Sequence, residues 1–527
     1  MNLRLLVFLL MIFFTACQNT KELDIVIRNG LVYNGSSSAP TLTDIGIRGE
    51  RIVAVGNLAE KKAKREIDAT NLAVAPGFID MHTHLEPLLR LPDAESHVRQ
   101  GVTTALGGPD GSSPWPLGAY IDSVEQEGIG MNVAYLIGHN TIRRNIMKLD
   151  NRAPTEAELQ QMQEQVATGM KDGAFGISTG LKYVPGAFSD VDEVVALSKI
   201  ASQYGGIYTS HLREEGLGLI DAVAEAIQIS ERADIPVVLT HHKAIGKPMW
   251  GASTQTLAMV DSARSLELDI MMDQYPYTAS QTGISVLIPS WARSGGQEAY
   301  LKRLEDPTLR DSIKQGIVYN ILNDRGGKDL RRVQFARVEW QPKLEGKTLH
   351  DWVVSRDLEP SVENGAELVM EAQANGGCNA IYHAIDQQDV DRIMQHPQTM
   401  IGSDGRLAEY KVGHPHPRWY GTFPRVLGHY VRERNILSLE EAIHKMTLMP
   451  ANRLGLKERG RIEEGVFADL TIFDPETIID KATFEKPHQY SQGIYFVIVN
   501  GKVAVDNGQF TKSRGGKVLK GSAFQSN

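Results

Sequence analysis

Cysteine is nearly absent. Cys17 and Cys378 are the only two in 527 residues, so no disulfide framework supports the fold and apolar burial must do so. Basic charge is also short: 55 Lys and Arg stand against 64 Asp and Glu, a net charge of -9. That balance offers no positive field to a phosphate backbone and speaks against nucleic acid as a partner. Aromatic residues reach only 7%, yet 42% of the chain is hydrophobic, enough at this length to bury a large core and too much for one pair of packed layers. One large domain with a smaller companion is expected.

The N-terminal apolar run, 5–14, follows a single basic residue, Arg4, and is too short to span a bilayer as a stable helix. It reads as a signal peptide over 1–16. Its end, Phe14-Thr15-Ala16-Cys17, resembles the lipobox of bacterial lipoproteins, in which small residues precede a cysteine that becomes the acylated first residue. The resemblance implies lipidation at Cys17 and export to the bacterial cell envelope, periplasmic or outer-membrane. Membrane contact would then run only through an N-terminal lipid anchor, and Cys378 is left without a partner. An ordinary secretory leader with an incidental Cys17 is the other reading.

After a short polar linker, 23–33 and 42–55 alternate apolar and polar residues around Asn34-Gly35, the pattern of half-buried antiparallel strands. From Ala73 the texture changes to eight short apolar runs, at 74–84, 102–107, 131–139, 174–180, 207–213, 236–243, 269–277 and 399–404. Amphipathic helical stretches separate several of them, at 156–170, 194–204, 219–232 and 254–266. Such an alternation predicts an α/β fold, a closed (β/α)8 TIM barrel over 76–454 with its active site at the C-terminal strand ends. The interval 279–398 is too long for one connection. It must hold inserted elements, including a strand-like 333–338, that roof the pocket. The β texture returns at 460–474 and 494–510, so 23–75 and 455–512 are expected to pair into one small β-sandwich domain, with a mobile tail beyond Lys512.

His82 and His84 close the first run two residues apart, and on a regular strand both imidazoles point the same way. His211 ends the fifth run, His241 the sixth and Asp404 the eighth. A lone strand-end histidine is more often structural than not. Here five donors reach one face from four strands, and neutral imidazoles with a carboxylate suit Zn²⁺ or a similar divalent ion that keeps a position open for water. A metal so held lowers the pKa of its water toward ~7.

The stretch Pro76-Gly77-Phe78-Ile79-Asp80-Met81-His82-Thr83-His84 resembles the opening signature of the amidohydrolase superfamily, and 460–470 is similar to that family's return to its β domain. Finer resemblance points to the N-acyl-D-amino-acid deacylase (D-aminoacylase) branch. It lies in 176–183, 210–216, 240–243, 273–277 and 402–405, followed by His416-Pro417-Arg418. That branch lacks the carboxylated lysine of the fourth strand, and this fourth run ends in Ser178-Thr179-Gly180. The resemblance implies one or two Zn²⁺ ions, a small substrate bearing a carboxylate, and hydrolysis of N-acyl-D-amino acids to a carboxylate and a free D-amino acid. It further implies that Arg418, Lys243 and Tyr275 hold the substrate's α-carboxylate and that Tyr183 lines the acyl or side-chain pocket. Asp404 is expected to act first as base and then as acid.

There are departures. Better known members of the branch place a cysteine ligand after the second strand, where this chain has Gly107-Gly108-Pro109-Asp110-Gly111. Asp110 is then either a metal ligand or bridge, since a carboxylate can replace a thiolate, or simply part of a turn, which Pro-Asp-Gly favours for backbone reasons. Gln281 stands where the family often has a serine in carboxylate binding. His139 ends the third run and either reaches the pocket or fixes the backbone around Asn140; His242 should point away from His241 as a structural residue. A cyclic-amide hydrolase or dipeptidase of the same superfamily is the competing enzyme reading, and a non-catalytic binding barrel the competing non-enzyme one. The missing lysine argues against ring-opening types, and the retained five donors against a dead barrel.

Overall fold

The computed structural model describes residues 22–525; the expected leader 1–16 and the lipidation site Cys17 lie outside the described residues. Among the described residues no helix is long and apolar enough to cross a membrane.

Both ends of the chain meet in one nine-stranded mixed sheet. Leu23–Val32 pairs antiparallel with Thr41–Arg48, which continues to Arg51–Gly56. On its other side Ala73–Pro76 pairs with Leu23–Val32 in parallel and with Leu470–Phe473 antiparallel, and the sheet runs on to Ile494–Val499 and Lys502–Asp506. Alternation explains its inner face: Ile25 lies opposite Ile47 and Ile27 opposite Ile45, and Leu470 opposite Ile498. All of them share one buried apolar cluster, the cross-strand pairing that stabilises sheets.

The remaining large sheets are parallel and follow sequence order. Phe78–Asp80, Val102–Gly107 and Asn132–Tyr135 form one arc; Ile137–Gly138, Gly176–Gly180, Ile207–His211, Val237–Leu239, Ile270–Gln274 and Thr399–Ile401 form a second. Only Leu136 separates the two arcs in the chain. The last strand returns to the first through the parallel pair of Gly405–Arg406 with Thr83–His84, and the Asp404 N–H donates to His82 O at 2.9 Å. These strands are buried on both faces, which is why they read as continuous apolar runs. The connecting helices include Glu156–Lys171, started by a Thr155/Glu158 capping box, and Leu219–Ala233, which buries Leu219, Val223 and Ile229 for ~1.5–3 kcal/mol each. The helix expected from 194 begins earlier, as Val191–Gln203, because Asp190 caps it through the Glu193 N–H.

Within 279–398, Asn379–Tyr382 lies between Ser280–Gly283 and Val333–Arg337 in an antiparallel sheet. This insert has its own core around Ile313, Ile317, Phe335, Trp352 and Val369. The helix Gln387–Gln395, inside the same interval, instead packs on Ser253–Ser265, where Asp389 accepts from Ser253 Oγ.

Two expectations need correction. The sixth strand is only Val237–Leu239; His241 lies beyond it with a left-handed φ of 38°, and His82 lies between two short strands, so simple strand alternation does not orient these rings. The tail beyond Lys512 is held in place. Gly516 N–H donates to Ile129 O (2.8 Å), Val133 N–H to Lys517 O (2.9 Å), Leu519 N–H to Val133 O (2.7 Å) and Gly521 N–H to Gly173 O (2.9 Å), while Val518 is buried. The tail satisfies backbone groups at one edge of the parallel arc. Deleting 514–527 should remove ~1 kcal/mol per hydrogen bond and ~1.5–3 kcal/mol for Val518. A scanning-calorimetry midpoint lowered by several degrees is expected; an unchanged midpoint would contradict this role.

Candidate metal centre

The structure brings all six expected donors to the end of the parallel strands. Asp110 is at the centre: its Oδ1 is 3.4 Å from both His82 Nε2 and His241 Nε2, and its Oδ2 is 3.7 Å from His84 Nε2 and 3.8 Å from His211 Nδ1. Asp404 Oδ1 lies 3.3 Å from His84 Nε2 and 3.8 Å from His82 Nε2. The donors fall into two overlapping groups that share Asp110, one with His82, His84 and Asp404, the other with His211 and His241, each group's atoms within 4.8 Å of one another. Asp110 thus occupies a turn and stands within reach of both groups. It sits in a turn with φ of 54°, and that turn delivers its carboxylate to the cluster. Gly180 allows the approach, since a Cβ there would meet Asp110 O at 2.2 Å.

The donor set fits a divalent cation. His82 Nε2 and Asp110 Oδ1 are buried without hydrogen-bond partners, an expensive arrangement unless something else satisfies them. Burial pushes the His211 ring down to about 3, favouring the neutral form that ligates. Burial alone would raise Asp404, but Arg418 and the imidazoles outweigh it and hold the carboxyl well below the usual range. Asp110, Asp404 and His241 all have φ between 38° and 54°, a strained backbone typical of functional sites.

A layer of carboxylates holds these donors, and sequence reasoning gave none of them a role. Asp80 accepts the His82 and Ser403 N–H groups at 3.1 and 2.8 Å. Asp273 accepts the His241 N–H at 2.7 Å. Glu86 lies 3.2 Å from His84 Nδ1, and Glu215 lies 3.2 Å from His241 Nδ1. The available signal was a charged residue within or beside an apolar run.

A cavity of about 640 Å³ opens over the centre, walled by Asn140, Tyr183, Lys243, Thr282, Arg325 and Arg418 among others. Arg418 Nη1 is 2.9 Å from Asp404 Oδ2, and its Nη2 donates to Gln281 O at 3.2 Å. The Tyr275 ring lies 4.8 Å from that guanidinium, with its hydroxyl buried and unpartnered. The Tyr183 hydroxyl is 3.0 Å from Thr282 Oγ1 and 3.4 Å from His211 Nδ1. Lys243 is ion-paired to Glu215 and donates to His241 O at 2.9 Å, so its ammonium already has acceptors. Gln281 accepts the His416 N–H at 2.8 Å. His139 contacts Glu193 at 2.7 Å and His242 contacts Thr256 at 2.8 Å; both have packing roles.

Comparison with known proteins agrees with this geometry. The model of the amidohydrolase family matches residues 65–505. A D-aminoacylase of Alcaligenes xylosoxydans xylosoxydans is 35% identical over 529 residues, covering 96% of this chain and 99% of that protein. The crystal structure of an N-acyl-D-glutamate deacylase from Bordetella bronchiseptica, complexed with zinc and a phosphonate inhibitor, superposes with a TM-score of 0.80 at 32% identity, over 95% of this chain and 100% of that one. A D-aminoacylase structure concerned with a binuclear metal centre gives a TM-score of 0.80 at 34% identity, over 94% and 100%. With its family pattern matched over most of its length and its six donors gathered where parallel strands end, this chain belongs to the amidohydrolase family.

Proposed function

We propose that the chain is a zinc-dependent amidohydrolase that deacylates N-acyl-D-amino acids, releasing a carboxylate and a free D-amino acid. The observation that carries this reading is the convergence of His82, His84, Asp110, His211, His241 and Asp404 beside the buried Arg418. Those six residues would hold one or two ions, with Asp110 between the two groups. Zinc bound there supplies positive charge that acidifies a water and polarises an amide carbonyl.

Asp404 takes the proton of the attacking water as the C–O bond forms, then delivers it to the departing amine nitrogen as the C–N bond breaks. Arg418 meets the substrate's α-carboxylate through parallel N–H donors. The Tyr275 ring against its guanidinium limits how far that group moves, and the unpartnered Tyr275 hydroxyl adds a donor. Lys243 contributes a positive field to the same side. Tyr183, held by Thr282, borders the space for the acyl group or side chain.

We read the two parallel arcs as a closed (β/α)8 TIM barrel over 76–454, supported by the Asp404-to-His82 backbone bond. The nine-stranded sheet reads as a β-sandwich built from 23–75 and 455–512, supported by the apolar cluster that strands from both ends share. The leader over 1–16 and Cys17 favour an exported, lipid-anchored protein of the bacterial cell envelope.

The test is a hydrolysis screen of the purified mature protein against N-acyl-D- and N-acyl-L-amino acids, dipeptides and hydantoins, in metal-loaded and chelated samples. Turnover of N-acyl-D-amino acids is expected, lost on chelation and restored by Zn²⁺. Turnover that survives complete removal of divalent ions, or none of these compounds cleaved while metal is bound, overturns the assignment.

A further inference from the structure

Glu215 follows the strand Ile207–His211 and borders the cavity beside the metal centre, only 3% exposed. Its carboxylate faces two imidazoles on their outer side: Oε1 is 3.2 Å from His241 Nδ1, and Oε2 is 3.8 Å from His211 Nε2. Toward Asp110 the same two rings present their other nitrogens, Nε2 of His241 at 3.4 Å and Nδ1 of His211 at 3.8 Å. One carboxylate therefore spans two histidines that turn opposite ring nitrogens to the centre. His211 Nε2 and Glu215 Oε2 are each buried without a hydrogen-bond partner, so each is the group that can satisfy the other.

A neutral imidazole that binds a cation through one nitrogen carries its proton on the other. For His211 that proton belongs on Nε2 and for His241 on Nδ1, the two atoms that Glu215 faces. We propose that Glu215 is a shared positioning carboxylate that sets opposite tautomers of His211 and His241 and so preforms their half of the metal centre. This inference rests on the metal-dependent reading above.

The surroundings explain how a buried carboxylate is kept charged. Lys243 is paired to Oε1, and Arg325 Nη2 lies 3.9 Å from Oε2; both cations are buried. Buried charges persist only when paired in this way. Lys243 Nζ is also 2.8 Å from His241 Nδ1. If that lysine donated to Nδ1, the ring proton would sit on Nε2, facing Asp110, and would keep a cation away. Glu215 decides between the two states: as acceptor it holds the proton on Nδ1, and it leaves Lys243 with two acceptors, Glu215 itself and His241 O. Glu86 stands in the same relation to His84, 3.2 Å from Nδ1, but its side chain is 46% exposed, and it serves one ring only.

The decisive comparison is Zn²⁺ affinity of wild type and Glu215→Gln, measured by competition with a chromophoric chelator, together with the visible absorption of the Co²⁺-substituted forms. Glutamine has one acceptor oxygen and turns an amide N–H toward the second imidazole, so it cannot serve both rings. We expect Zn²⁺ affinity to fall by ~10- to 100-fold, the usual cost of removing an outer partner of a metal ligand, and the Co²⁺ bands to shift. Glu214→Gln, one residue away and paired to Lys182, should leave both unchanged. If unpaired Lys243 and Arg325 prevent the single variant from folding, Glu215→Gln/Lys243→Met removes one of the two cations and takes its place in the comparison. A folded variant with wild-type Zn²⁺ affinity and an unshifted Co²⁺ spectrum overturns the role of Glu215. Wild type that binds no Zn²⁺ overturns the metal-dependent reading itself.

Discussion

Asp404→Asn is expected to lower kcat by ~10³-fold or more while leaving the fold intact, because general acid–base transfer contributes about 10²- to 10⁴-fold per step and Asp404 serves two steps. Its Oδ1 faces His84 and His82 at 3.3 and 3.8 Å, and its Oδ2 faces Arg418 at 2.9 Å. An amide oxygen can still face the Arg418 guanidinium, so the side chain keeps its place. An amide has no basic site at neutral pH, so nothing at this position can take a proton from water and return it to the amine. The backbone tolerates the change: φ at this position is 48°, a left-handed conformation in which asparagine is at ease, and the N–H remains bonded to His82 O at 2.9 Å. Steady-state release of amine from an N-acyl-D-amino acid, with circular dichroism and a thermal midpoint as controls, checks the expectation. A folded variant within tenfold of wild-type kcat would remove Asp404 from proton transfer.

The donors that end apolar runs were legible in the sequence. His84 and His211 are the last residues of their strands, and His82 and Asp404 follow Phe78–Asp80 and Thr399–Ile401 within three residues; parallel strands put such endings on one side of the fold. Asp110 was only half legible. Pro109-Asp110-Gly111 names a turn by backbone preference alone; that the turn carries its carboxylate to within 3.4 Å of His82 and His241 depends on strands contributed by distant parts of the chain. The supporting carboxylates were hidden for a related reason. Asp80 and Asp273 act by accepting backbone N–H groups of His82 and His241, and which N–H a carboxylate reaches is a property of loop conformation, such as the positive φ at His241. Lys243 was legible through the resemblance as a cation of the cavity wall, but its pairing with Glu215 was not. The tail failed because polarity and chain position suggested mobility, while its hydrogen bonds with Ile129 and Val133 exist only once the parallel arc has formed an edge to receive them.

Asp110→Asn is the second large effect expected, and it separates the two roles that meet at this residue. Asparagine suits φ of 54° as well as aspartate does, so the turn and its Ser112-to-Pro109 bond are retained; alanine, with a Cβ but no local polar group, would confound ligation with strain of ~1–2 kcal/mol. What asparagine removes is the negative charge and one of the two oxygens, each of which faces one imidazole of either histidine group. Burial disfavours the charge on Asp110, yet His82 and His241 outweigh that penalty and hold its carboxyl well below the usual range. The neutral amide loses this attraction, and its NH2 points a donor at one imidazole of each group. Zn²⁺ affinity should therefore fall by more than ~100-fold, beyond the range of outer partners, with kcat/KM falling in step. Metal content after dialysis against a Zn²⁺ buffer, read by atomic emission, gives the affinity directly. Were the asparagine variant to hold Zn²⁺ as tightly as wild type, Asp110 would be a turn residue alone, and the two histidine groups would have to bind their ions without a shared carboxylate.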